Sequence, residues 1–158
     1  MAELTVGQKA PEFSLEASNG KKASLKDYQG KTVVLYFYPK DMTPGCTTEA
    51  CDFRDNLAQL EKAGAVVLGV SPDNLTSHGK FIEKNNLNFL LLSDPEKKVL
   101  EAYGVWKEKS LYGRKFMGVV RSTFIIGPDG KIAHIFPKVS VKGHVKAVLE
   151  VLKKMKEG

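Results

Sequence analysis

The stretch Pro39–Cys51, PKDMTPGCTTEAC, concentrates the residues able to do covalent chemistry, because it holds both cysteines of the chain, Cys46 and Cys51. Their spacing is not the C-x-x-C of a dithiol oxidoreductase. Thr43 can cap a helix that starts at Pro44, since a proline N–H is not needed at the first helical position. Cys46 then falls in the first turn. There, unpaired backbone N–H groups and the positive end of the helix dipole favour a thiolate, a nucleophile, over a thiol. A small buried core residue is the competing reading of a free cysteine in this place.

Cys51 is five residues further on. On an ideal helix that separation is roughly 140° around the axis and about 7.5 Å along it. The two Cα atoms are then about 8–9 Å apart, beyond the roughly 7 Å limit for a disulfide. Either the two thiols never bond, or the first turns of the helix must unwind to let them.

The elements that must position this segment read as an α/β pattern. Short turn-rich pieces over residues 11–31 predict an N-terminal hairpin. TVVLYFY (32–38) is a strand buried on both faces, followed by a helix from Pro44 to Lys62 that stops at Gly64. AVVLGVS (65–71), a helix over about 74–85, and LNFLLLS (87–93) continue the alternation. Asp94 and Pro95 predict the start of a short helix, and VVRSTFIIGPDGKIAHIF (119–136) predicts two strands around a Gly-Pro-Asp-Gly turn. Ser140 predicts the cap of a last helix lined by Val141, Val145, Val148, Leu149 and Leu152. Early alternation implies parallel strands with helical crossovers and the late hairpin adds antiparallel ones, giving a mixed sheet flanked by helices in the thioredoxin-like manner.

At 158 residues the chain reads as one domain, 1–158, and its 42% hydrophobic and 27% charged content is that of a globular protein. No apolar run reaches the length of a membrane span and the N-terminus carries no signal or transit pattern, so the expected compartment is the cytoplasm. The net charge of +6 has a large share in residues 131–158, with seven Lys against two Glu. Those lysines lack interleaved arginines and aromatics, which points to a solvated helix end and not to nucleic acid. His78, His134 and His144 are widely separated without neighbouring ligands, so no metal is expected, and no phosphate loop or dinucleotide fingerprint implies a cofactor. Trp106 reads as a packing residue.

Pro39, Thr43 and Cys46 together resemble the Pro-x-x-x-Thr/Ser-x-x-Cys pattern of the peroxiredoxins, and CTTEAC is similar to the Q-type, or bacterioferritin-comigratory, subfamily. APEFSL, LLSDPEKKV, AYGVW and GVVRSTFIIGPDGKI extend the resemblance along nearly the whole chain. It implies a thioredoxin-like fold with an N-terminal hairpin extension, and a peroxidase acting on hydrogen peroxide and organic hydroperoxides without a cofactor. It implies Cys46 as peroxidatic cysteine and Cys51 as resolving cysteine, joined in an intrachain disulfide that thioredoxin or a similar dithiol reduces. It also implies that Thr43 binds peroxide, Arg121 favours the thiolate and the leaving oxygen, Pro39 shields the sulfur, and Glu49 orients the arginine. Tyr38 matches an aromatic beside the site, with a core role as the alternative. Gly45 stands where many members carry valine. An intrachain disulfide permits a monomer or a weak homodimer. A thiol–disulfide exchange protein and a chaperone-like holdase on the same fold are the rival functions.

Overall fold

The computed structural model describes residues 4–157; Met1–Glu3 and Gly158, the outer ends of the two terminal stretches read above, lie outside the described residues. The predicted N-terminal hairpin is β1 (Ser14–Ala17) with β2 (Lys22–Ser24), antiparallel. The continuous apolar run forms β3 (Thr32–Phe37), buried at every position. It pairs in parallel with β4 (Ala65–Ser71), which pairs in parallel with β5 (Leu90–Ser93). β8 (Ser122–Ile126) and β9 (Ile132–Phe136) are antiparallel neighbours on the other side of β3. The seven-stranded order is β2-β1-β5-β4-β3-β8-β9, a mixed sheet of the thioredoxin-like type with β1 and β2 as its N-terminal extension.

The period-two alternation of β3 divides the core. Val33, Leu35 and Phe37 join Leu100 and Tyr103 on one face. Val34, Tyr36 and Tyr38 join Cys46, Ala50, Phe53, Phe81 and Val148 on the other, beneath α1 (Pro44–Asp55), α3 (Leu75–Asn85) and α5 (His144–Glu157). Gly69 in β4 makes room for this second face. A Cβ there would sit 2.8 Å from Tyr36 Cζ and 2.8 Å from Leu91 Cδ2. The Tyr36 ring can then stack on Phe53 of α1, with centroids 4.6 Å apart.

Several expectations are corrected. The single helix over 44–62 is two, α1 and α2 (Leu57–Lys62), because Asn56 leaves helical geometry at φ −111°, ψ 9° and its side-chain amide donates to the Asp52 carbonyl. The strand over 87–93 begins only at Leu90. The helix expected at Asp94 is α4 (Lys98–Ala102), because Lys97 takes a left-handed φ of 63° first. Asp94 still caps it from a distance, its carboxylate accepting the Leu100 N–H at 2.8 Å. α5 starts at His144 and not after Ser140; Val141 is left in the preceding turn, where its carbonyl accepts the His144 N–H.

No sequence signal marks β6 (Trp106–Leu111) and β7 (Arg114–Val119), a separate two-stranded hairpin turned at Tyr112 and Gly113. Arg121, expected within a strand, lies in the two-residue linker between β7 and β8.

Gly69→Ala should destabilise the chain by about 1–3 kcal/mol, the usual cost of overpacking a filled core. Urea unfolding measures it, and a substitution without cost would mean that the Tyr36 ring is free to move aside.

Candidate active site

β3 and β8 pair with Phe37 opposite Ser122, so the residue after β3, Tyr38, and the residue before β8, Arg121, emerge at the same sheet edge. The loop from Tyr38 leads into α1, and the linker holding Arg121 is pinned on both sides. The Val120 N–H donates to the Val105 carbonyl at 2.8 Å, and the Arg121 carbonyl accepts the Val139 N–H at 2.8 Å. Sheet register therefore brings a residue 75 positions away in sequence against the helix start.

Thr43 occupies the N-cap position at φ −78°, ψ 152° and Pro44 the first helical position, as expected. The Thr43 hydroxyl does not cap, however; it donates to the Lys40 carbonyl at 2.8 Å. Its lone pairs remain as acceptors. Cys46 is 1% exposed in the first turn of α1. Arg121 Nη2 donates to its sulfur at 3.2 Å, while Nη1 donates to Glu49 Oε1 at 2.6 Å. Glu49 lies one helical turn past Cys46, so one guanidinium bridges two side chains of one helix face. The guanidinium passes close over Gly45, where a Cβ would lie 3.2 Å from Arg121 Nη2.

Burial works against the Arg121 charge, but Glu49 and Cys46 outweigh it and the guanidinium holds its proton more tightly than usual. Burial pushes the Glu49 carboxyl up, against the pull of Arg121, to about 7. Its second oxygen, Oε2, has no partner among the described residues. Lys109 of β6 is a second cation that sequence reading missed. Burial and then the Arg121 charge lower its pKa, with Cys46 acting the other way. No signal marked it, because its strand went unread.

Cys51 is partly buried on another side of α1, its thiol 3.8 Å from Asn85 Oδ1 of α3; both cysteines are free and the helix between them is intact. Pro39 is half-buried in the loop after Tyr38. Tyr38 is buried against Tyr36 and its hydroxyl donates to Asp41 Oδ1 at 2.6 Å. The histidines do not all lack carboxylates, as their spacing suggested: the fold brings Asp41 Oδ2 to 2.7 Å from His78 Nδ1. His144 shares a 2.7 Å hydrogen bond with the Thr123 hydroxyl, and burial, then Arg121, hold its pKa down at about 4.

The sequence profile described as AhpC/TSA family matches residues 6–135. Peroxiredoxin Bcp of Bacillus subtilis (strain 168) is 53% identical over 98% of this chain and 98% of its own length. Peroxiredoxin Bcp of Escherichia coli (strain K12) is 48% identical over 97% and 98%. Among solved structures, a Xylella fastidiosa PrxQ mutant superposes with a TM-score of 0.93 at 38% identity, covering 99% of both chains. The Xanthomonas campestris bacterioferritin comigratory protein, described for its alkyl peroxide reduction activity, has a TM-score of 0.89 at 41% identity over 96% and 99%. A thioredoxin-like sheet that presents a buried thiol at a helix start, under an arginine, defines the class of thiol-based peroxidases. The chain belongs to the AhpC/TSA family, within its Bcp/PrxQ peroxiredoxins, and reduces peroxides through a catalytic cysteine.

Two of the shifted groups, His144 and Glu49, give opposite pH dependences. The unfolded imidazole of His144 takes its proton near 6.5 and the folded one only near 4, so stability falls as pH drops through that window. Folded Glu49 takes its proton near 7, before the unfolded carboxyl does near 4.5, so its contribution rises as pH drops. His144→Gln should therefore lose stability less steeply in acid than the parent. The difference between them, read by urea unfolding, should shrink by up to about 2–3 kcal/mol between pH 6.5 and 4. A difference independent of pH would contradict a neutral buried His144.

Proposed function

We propose that Cys46 is the peroxidatic cysteine and Cys51 the resolving cysteine of a thioredoxin-dependent peroxidase working as one domain. The observation that carries this reading is Arg121 Nη2 at 3.2 Å from the Cys46 sulfur, with the same guanidinium held by Glu49. The cation and the helix start both favour the thiolate. The thiolate attacks one peroxide oxygen: an S–O bond forms, the O–O bond breaks, and the departing oxygen leaves with a proton as water or alcohol. Cys46 is oxidised to a sulfenic acid. Thr43, its hydroxyl hydrogen given to Lys40, accepts a hydrogen bond from the peroxide, Arg121 stabilises charge on the leaving oxygen, and Pro39 limits water at the sulfur. Tyr38 supports the loop from behind.

The first turns of α1 then unwind. The Cys51 thiolate attacks the sulfenic sulfur, the S–S bond forms and the S–O bond breaks with release of water. Thioredoxin or a similar dithiol reduces the disulfide by exchange. The opening draws on a weak helix start: Gly45 is a poor helix former and the first turn holds Pro44 in solvent. Hydrogen peroxide and organic hydroperoxides are the substrates, in keeping with the alkyl peroxide activity of the Xanthomonas relative. No helix of the described residues is long and apolar enough to cross a membrane, and a reducing compartment such as the cytoplasm keeps the dithiol reductant supplied. A monomer or weak homodimer suffices, because both thiols belong to one chain.

In a coupled assay with thioredoxin, thioredoxin reductase and NADPH, Cys46→Ser should abolish peroxide-dependent turnover. Cys51→Ser should still consume one equivalent of peroxide but stall with thioredoxin. Normal thioredoxin turnover in Cys51→Ser would move the resolving role to another group. Hydrogen exchange should show residues 44–52 less protected in the disulfide form than in the reduced form, and equal protection would exclude unwinding.

A further inference from the structure

We propose that His78 and Asp41 are positioning residues for the peroxide step: they clamp the loop carrying Pro39 and Thr43, and so fix the point from which α1 unwinds. This rests on the roles given above to Cys46 and Cys51. Both side chains are sealed from solvent, His78 at 0% and Asp41 at 4% exposure. The Asp41 carboxylate accepts from the Tyr38 hydroxyl on Oδ1 at 2.6 Å and from the Ser77 hydroxyl on Oδ2 at 2.8 Å. Its Oδ2 is 2.7 Å from His78 Nδ1, and the other ring nitrogen, Nε2, is 2.9 Å from the Leu92 carbonyl. A carbonyl can only accept, so Nε2 carries a hydrogen, and a second hydrogen lies between Nδ1 and the carboxylate. The Asp41 N–H donates to Asp73 Oδ2 at 2.8 Å, and that oxygen also accepts from Ser71.

The loop is thus tied at one residue to the end of β3 through Tyr38, which follows that strand, to α3 through Ser77 and His78, to β5 through Leu92, and to the end of β4 through Ser71 and Asp73. Ligand atoms of Asp41, Asp73 and His78 lie within 4.8 Å of one another, as cation ligands would, but N–H and O–H donors engage them instead. Immediately after the clamp the chain loosens: Met42 is 41% exposed and takes a left-handed φ of 69°. Release of the helix start can therefore begin at Met42–Thr43 while Tyr38 and Pro39 stay in place. Without the clamp the whole loop drifts, and the peroxide-reactive geometry around Cys46 becomes less populated.

The test separates two steps in single turnovers of the full chain with hydrogen peroxide. One is the second-order consumption of the Cys46 thiol, and the other the first-order appearance of the disulfide. His78→Leu should slow the first roughly tenfold, as loss of a buried charge-assisted bond implies, and leave the second equal or faster. His78→Asn, whose amide can donate to Asp41 from near the Nδ1 position, should recover most of the rate. Ser77→Ala, a half-buried site that loses one donor, should slow the first step about threefold. A wild-type peroxide step in His78→Leu, no recovery in His78→Asn, or an equal loss in both steps overturns the proposal. If His78→Leu does not fold, Ser77→Ala and His78→Asn decide alone. Wrong roles for the cysteines would appear differently, as thiol consumption without Cys46 or no disulfide in the parent chain.

Discussion

The guanidinium of Arg121, placed between the sulfur of Cys46 and the carboxylate of Glu49, is the constraint around which the rest is arranged. It rests on two acceptors one helical turn apart on α1 and on a strand register that delivers residue 121 to the end of β3. The separate β6–β7 hairpin is part of the same arrangement, since it ends two residues before Arg121 and sets the linker through Val105 and Val120. An ion pair this enclosed is costly to desolvate, and Glu49 keeps one oxygen unpartnered in the interior. Such a group contributes little net stability; its return is the fixed direction of Nη2 toward the sulfur.

α1 is anchored unevenly. Ala50 and Phe53 are buried in its second half, and Phe53 stacks on Tyr36, so that part is held by packing. Its first turn has Pro44 exposed and Gly45 half-buried, and is held chiefly by Cys46 and its polar partners. The chemistry proposed for Cys46 would therefore act on the very contact that keeps the turn in place. A helix secured by apolar contacts along its whole length would not respond to oxidation at one sulfur.

Strand periodicity made the sheet legible, whereas in segment 39–51 position alone left Cys46 between a nucleophile and a core residue, and the resemblance of the motif to a family carried its reading. Local signals failed where the outcome depended on distant partners. Asp94 looked like an N-cap because its type and the following proline suit one, yet Lys97 goes left-handed and the carboxylate reaches forward to Leu100. Thr43 holds the cap position, but its hydroxyl finds the Lys40 carbonyl. Arg121 in a β-rich run could only be read as a strand residue; its linker position follows from the hairpin before it, whose polar alternation buries little. Asp41 and His78 are 37 residues apart and carry no motif. Their meeting is a consequence of β3, β4 and α3 lying side by side.

The missing Cβ at Gly45 has a consequence for anyone stabilising this enzyme. Filling a helical glycine with alanine is a standard route to a more heat-resistant protein, worth about 1 kcal/mol. Here the added methyl would lie 3.2 Å from Arg121 Nη2, so the guanidinium beside the sulfur would have to give by a few tenths of an ångström. The same change would also stiffen the turn whose opening is proposed to complete the cycle. Position 45 therefore bears at once on the stiffness of the helix start and on the setting of the cation beside the sulfur.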